Sequence, residues 1–341
     1  MKLLKTEDAV GQVLCHDVTQ IIRGVTKDAR FRKGHIIREE DIPVLLSMGK
    51  DYIYIWEKNE QMLHENEAAE ILRAICQGEH MRPTPVKEGK IELVAEQDGL
   101  FLADLPRLRA INALGQMMIA TRPSGFVVKQ GDKLCGTRVI PLVIEKEKME
   151  QAQAVAGAEP ILRLLPIPRG RYGVVTTGNE VYYGRITDTF TPVIQEKLAE
   201  FGWEMAEHIT VNDDHEKITA AIRACLDAGC QAVFCSGGMS VDPDDKTPLA
   251  IRNSGARVVS YGAPVLPGAM FLVAYMDDGR PVCGLPGCVM YAKRTVFDLC
   301  LPYLLAGEPI TAEYLAGLGN GGLCLNCPEC HFPNCGFGKG C

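Results

Sequence analysis

From Tyr172 onward, short continuous apolar runs (YGVVT, QAVFCS, MFLVAYM, PVCGL) alternate with segments in which apolar residues recur every three or four positions. Continuous runs of this length suit strands buried on both faces, and the longer recurrence suits the helices that cover them. The pattern predicts a strand at YGVVT and a helix over about 188–201, with Val193, Ile194, Leu198 and Phe201 inward and Gly202 as its cap. A strand near EHITV, a helix over about 215–228, strand QAVFCS and a helix from about Thr247 follow. Strands near RVVSY, MFLVAYM and PVCGL come next, and then a last helix opened by LPGC and ending near Ala306. Such alternation predicts a three-layer α/β domain over 169–310, built on a mostly parallel sheet, with ligands at the carboxyl ends of its strands.

Upstream the rhythm is less regular. Residues 1–58 read as a small β-rich region: a strand pair in GQVLCHDVTQII, then a turn, a short helix with Gly49 at its C-cap, and strand YIYIW. Residues 59–168 read as an α/β accessory region. A helix over 59–80 carries Ala68, Ile71, Leu72 and Ile75 on one face, and MRPTPVKEGK reads as an exposed loop. Strand IELVA, a helix over about 105–119, strands GFVVK and RVIPLVI, and a helix ending at Gly157 complete it.

Composition narrows the class. The 341 residues are 47% apolar and 23% charged, as in globular proteins with real cores. The net charge of −7 argues against a nucleic-acid partner, which would need a basic face. No apolar run is long enough for a bilayer span, and Glu7 and Asp8 interrupt the start where a secretory leader would stay apolar, so a cytoplasmic protein without a membrane partner is expected. Nine of the fourteen cysteines lie between Cys15 and Cys300, mostly in apolar contexts, and read as buried thiols of a reducing compartment.

Candidate chemistry sits in four loops, each leaving a predicted strand: TTGNEVYYGRITDT, SGGMSVDPDDKTP, VLPGAM and GLPGC. A plain connection needs two to six residues and one turn signal, whereas the first of these is longer, acidic and glycine-rich. Gly237 and Gly238 permit close approach of backbone to a ligand, and Gly287 after Pro286 could expose helix N–H groups to an anion. Glu180, Asp188, Asp242, Asp244 and Asp245 supply carboxylates, the oxygen ligands that Mg²⁺ prefers when it bridges a phosphate.

In this order and spacing the four loops resemble the molybdopterin-binding domain shared by molybdopterin adenylyltransferases and molybdotransferases, over about residues 170–306. GQVLCHDV and FRKGHIIREEDIPVLLSMG resemble pieces of molybdotransferase accessory domains. The resemblance implies that Thr177, Gly178, Gly237, Gly238, Ser240, Pro267, Gly268, Pro286 and Gly287 hold molybdopterin or its adenylate. It also implies Mg²⁺ and molybdate chemistry at Glu180, Asp188 and Asp245, with Asp213 or Asp214 as a further family acid, and a homo-oligomer that serves a molybdoenzyme. The alternative is a non-catalytic carrier or sensor that docks to such an enzyme. A nucleotide-linked hydrolase on the same scaffold is a third reading. Three departures stand out: Phe190 ends the first loop where the family has Asn, Asp242 replaces a common glycine, and Cys288-Val289 replaces Asn-Pro. The longer Asp-, Asn- and Gly-rich N-terminal motif of molybdotransferases is also missing.

The last eighteen residues hold the other five cysteines, Cys324, Cys327, Cys330, Cys335 and Cys341, beside His331. Over 320–341 this spacing predicts a metal-binding tail, with zinc or an iron–sulfur cluster on Cys324, Cys327, Cys330 and Cys335, against a disordered tail of free thiols. The histidines at 16, 35, 64, 80, 208 and 215 have no metal-ligand spacing and read as ordinary surface or hydrogen-bonded residues.

Overall fold

The computed structural model describes residues 2–55, 60–240, 242 and 245–340. The chain folds into two units, one of residues 1–96, 103–122 and 130–163, the other of 97–102, 123–129 and 164–341. The first therefore takes in 1–58 together with most of 59–163, and the second includes the cysteine-rich tail.

In the first unit, strand Lys2–Lys5 pairs antiparallel with Tyr52–Ile55, and Val18–Ile22 forms a hairpin with Thr26–Phe31. Leu14, Val18, Phe31, Ile37, Leu45 and Ile53 make its small core. The helix expected over 59–80 occupies Glu65–Cys76, capped by His64 and Glu67. Met62–His64 is instead a strand paired with Val143–Glu145, and residue 59 lies outside the described residues. MRPTPVKEGK opens as a strand, Met81–Pro83, on the edge of an antiparallel sheet with Lys90–Ala95, Lys133–Val139 and Met117–Thr121. The helix expected to run to 119 stops at Ala113. Gly115 and Gln116 take positive φ, and Met117 and Ile119 then face inward at strand period. Helix Lys146–Ala156 ends at Gly157 as expected.

The second unit is built on a six-stranded sheet. Its elements are β1 (Arg171–Thr177), α1 (Asn179–Tyr182), α2 (Phe190–Ala199), β2 (Glu204–Val211), α3 (His215–Asp227) and β3 (Ala232–Ser236). They continue with α4 (Thr247–Asn253), β4 (Arg257–Tyr261), β5 (Leu272–Tyr275), β6 (Pro281–Leu285) and α5 (Val296–Ala306). The strand order is β2-β1-β3-β6-β5-β4. β2, β1, β3 and β6 run parallel, and β5 runs against both of its neighbours, so β4 points the same way as β6. The loops after β1, β3, β4 and β6 consequently leave from one edge of the sheet.

Alternation along the strands divides the core between two faces. Tyr172, Val174, Phe234 and Leu285 pack with Ile194 and Leu198 of α2 and with Phe297 and Leu301 of α5. Val175, Val233, Cys235 and Val282 face Ile218 and Ile222 of α3 and Ile251 of α4. This is the three-layer arrangement the hydrophobic pattern predicts. All of the nine upstream cysteines except Cys288 are buried, and burial pushes the Cys235, Cys283 and Cys300 thiols well above their ordinary pKa. No helix among the described residues is long and apolar enough to cross a membrane.

Candidate functional site

The first two loops are locked together directly behind the strand ends. Gly237, at φ 87°, lies so close to the Thr177 carbonyl that a side chain there would overlap it. The Thr247 hydroxyl donates to the Gly237 carbonyl at 2.9 Å and sits 3.3 Å from the Thr177 hydroxyl. Tyr261 Oη reaches the Met239 carbonyl at 2.9 Å, which ties the end of β4 to the second loop. Burial raises the pKa of Tyr261, and the charge of Asp245 raises it further. The third loop meets α5, where Val296 N donates to the Pro267 carbonyl at 3.1 Å and Gly268, at φ 126°, packs against the Val296 side chain. Thr189 Oγ1 lies 2.7 Å from Met290 Sδ and so links the first loop to the fourth.

Within this framework the carboxylates separate into distinct roles. Asp188 Oδ1 accepts from Phe190 N at 2.8 Å and Thr191 N at 3.2 Å, while Oδ2 accepts from Thr191 Oγ1 at 2.5 Å and Thr176 Oγ1 at 3.0 Å. Burial works to raise its pKa, but these hydrogen bonds outweigh burial and hold the carboxyl below its ordinary value. Asp245 accepts from Asp242 N at 3.0 Å and closes its own loop. Glu180 is exposed in the first turn of α1. Asp213 and Asp214 have different partners: Asp214 caps α3 through Glu216 N and Lys217 N, whereas Asp213 accepts from Asn179 N in the first loop at 2.9 Å. Asp244 lies outside the described residues.

Among the described residues, no three His, Cys, Asp or Glu side chains are grouped so that they could hold one metal ion. Asp188 has two amides and two hydroxyls within hydrogen-bond distance of its oxygens. One sequence-based expectation needs correction, and it concerns GLPGC. Gly287–Met290 forms a single 3₁₀ turn, and α5 starts only at Val296 with Thr295 and Asp298 as its capping box, so Gly287 does not open that helix. Gly287 instead has open space where a side chain would project.

Polar groups that the sequence does not single out complete the edge. His208 on β2 brings Nε2 to 3.0 Å from Thr176 Oγ1 and 3.1 Å from Thr191 Oγ1. Among the described residues, Ser236 Oγ at the end of β3 and Asn212 Oδ1 just after β2 are buried without a hydrogen-bond partner. Buried polar atoms are nearly always paired, so two orphans beside the strand ends fit an edge that receives a polar ligand. Of the ligand-contact candidates, Thr177, Gly178, Gly268 and Pro286 are buried backbone-shaping positions, whereas Ser240 and Gly287 are exposed.

The tail is ordered against the third loop. Leu266 N donates to the Gly322 carbonyl and Cys324 N to the Leu266 carbonyl, each at 2.8 Å, and Phe337 is buried in the core beneath α5. A cavity of about 280 Å³ lies there, lined by Cys324, Cys327, Cys330, Cys335, His331 and Arg294 among others. The four thiols share this wall, and among the described residues no three His, Cys, Asp or Glu side chains are grouped to hold a metal ion. Cys341 lies outside them.

A doubly covered, mostly parallel sheet with its glycine and carboxylate loops on one carboxyl edge defines a three-layer α/β domain. Residues 173–306 match the family model described as a probable molybdopterin binding domain. Residues 3–57 match a model described only as a domain of unknown function. A molybdopterin molybdenumtransferase of Synechococcus elongatus is 25% identical over 228 residues, 64% of this chain and 52% of the relative. A CinA-like protein of Mycobacterium avium is 41% identical over 96 residues, 28% of this chain and 22% of its own. The chain thus spans about half of the first relative's length and about a fifth of the second's. Among solved structures, the molybdopterin biosynthesis enzyme MoaB of Thermus thermophilus is 25% identical, with a TM-score of 0.36, over 41% of this chain and 98% of the other.

Proposed function

We propose that this protein binds molybdopterin or its adenylate at the carboxyl edge of β1, β3 and β6, as a step in making the molybdenum cofactor. The observation that carries the reading is the meeting of the family's four loops at one edge, beside the orphaned Ser236 hydroxyl and Asn212 carbonyl. The backbone N–H groups around Gly237, Gly238 and Ser240 would face the phosphate, a role that needs no net positive charge. The reaction class that fits is transfer of molybdate to the bound pterin. Mg²⁺ at such a site would neutralise phosphate charge; among the described residues no three His, Cys, Asp or Glu side chains are grouped to hold it. Cys288 in the fourth loop, where the family has Asn, favours a second reading, a carrier that holds the pterin for a molybdoenzyme without turnover.

The test is isolation of the full chain, anaerobically, from cells that make the cofactor, followed by denaturation, oxidation and pterin fluorescence. The wild-type chain should carry close to one pterin per site. Gly287→Leu fits the open space at Gly287 and should keep the unfolding midpoint while losing the pterin. Absence of pterin from the wild type, with no binding on later addition, contradicts the proposal.

A further inference from the structure

The hydroxyls of Thr176 and Thr191 stand 3.1 Å apart, and both reach Asp188 Oδ2. His208 Nε2 touches both hydroxyls and lies 3.4 Å from the same carboxylate oxygen. Each hydroxyl has one proton and Asp188, ionised, has none. If Nε2 carried no proton, two hydroxyl protons would have to serve both the carboxylate and the imidazole, and Asp188 would lose a bond. If Nε2 carries a proton, His208 donates into the cluster and both hydroxyl protons are free to point at Asp188. The second arrangement satisfies one more polar group beside the buried Thr176 and Thr191 hydroxyls, where an unmade hydrogen bond is costly.

We infer that His208 is a positioning residue: as the Nε2–H tautomer it orients the Thr176 and Thr191 hydroxyls towards Asp188, and so fixes the junction between the first loop and α2. Three elements converge there. Thr176 is the penultimate residue of β1, Thr191 lies in the first turn of α2, and His208 comes from the edge strand β2. Thr177, the next residue, is the one against which Gly237 and Thr247 pack, so the network sets the position of the second loop as well. The consequence for function rests on the carboxyl edge being the ligand site; the tautomer and its hydrogen bonds do not.

The test is made on the ligand-free full chain, which keeps it separate from the question of pterin binding. Long-range ¹H–¹⁵N correlation spectra of the imidazole should show a protonated Nε2 and an unprotonated Nδ1, and the opposite tautomer overturns the inference. Amide hydrogen exchange supplies the second readout. The amides of Phe190 and Thr191, which donate to Asp188, should exchange about tenfold faster in His208→Phe, the loss of roughly one hydrogen bond. His208→Gln, whose amide N–H₂ can donate from a similar reach, should restore slow exchange. Slow exchange retained in His208→Phe and lost in His208→Gln would mean that ring packing alone matters, and would overturn the assignment.

Discussion

Two amides and two hydroxyls lie within hydrogen-bond distance of the Asp188 oxygens, and they tie the end of the first loop to the start of α2. A pH consequence follows from the lowered pKa of Asp188. A carboxyl held below its unfolded value contributes stability that is fully present above the unfolded pKa, near 4, and is lost as pH falls through the folded value. Asp188→Asn should therefore lower the unfolding free energy at neutral pH and flatten its decline below about pH 4. Urea titrations from pH 7 to pH 3 check this, and equal slopes in the two proteins would contradict it. The place of Asp188 at a helix start was legible in sequence, since the pattern predicts that helix from about residue 188. The part played by His208 was not, because contacts across 32 positions to a neighbouring strand and 17 positions to a helix start leave no local pattern.

At the scale of elements, hydrophobic rhythm located most strands of the second unit, because runs buried on both faces have no ambiguity of period. It failed where an apolar run followed a helix directly. Met117-Met118-Ile119 continues the helical recurrence of 105–113, and only the turn at Gly115 and Gln116 breaks it. The antiparallel β5 also escaped the reading, since strand direction depends on connection geometry and not on composition. Between elements, a buried ion pair joins α2 to α5: Lys197 Nζ meets Asp298 Oδ1 at 2.6 Å, with both side chains at most 9% exposed. Arg294 shares the same oxygen at 2.9 Å. Lys197→Met leaves Asp298 with one cation in place of two and should cost roughly 3 kcal/mol, the lower end of what breaking a buried pair costs. Denaturant unfolding measures it, and a change under about 0.5 kcal/mol, typical of surface sites, would show that Arg294 alone suffices.

Across the whole molecule, the second unit carries the recognisable chemistry and the first carries none that its residues declare. The order of the four loops was readable because each follows a strand of the same sheet edge, and the family match over 173–306 coincides with that stretch. Cysteine spacing in the tail can be read from sequence, but whether thiols point to one centre depends on backbone turns that spacing does not encode. Here the thiols line a cavity beside the third loop. The order of the tail comes from Phe337 and from backbone bonds to Leu266.

The account stands on one claim, that this edge holds a pterin. Native mass spectrometry of the intact chain, purified anaerobically from a cofactor-making host, tests it most directly. The account predicts an adduct with the mass of molybdopterin, its adenylate or its molybdenum-loaded form, absent from Gly287→Leu. The bare mass from both proteins, unchanged when the host accumulates the pterin, would contradict it.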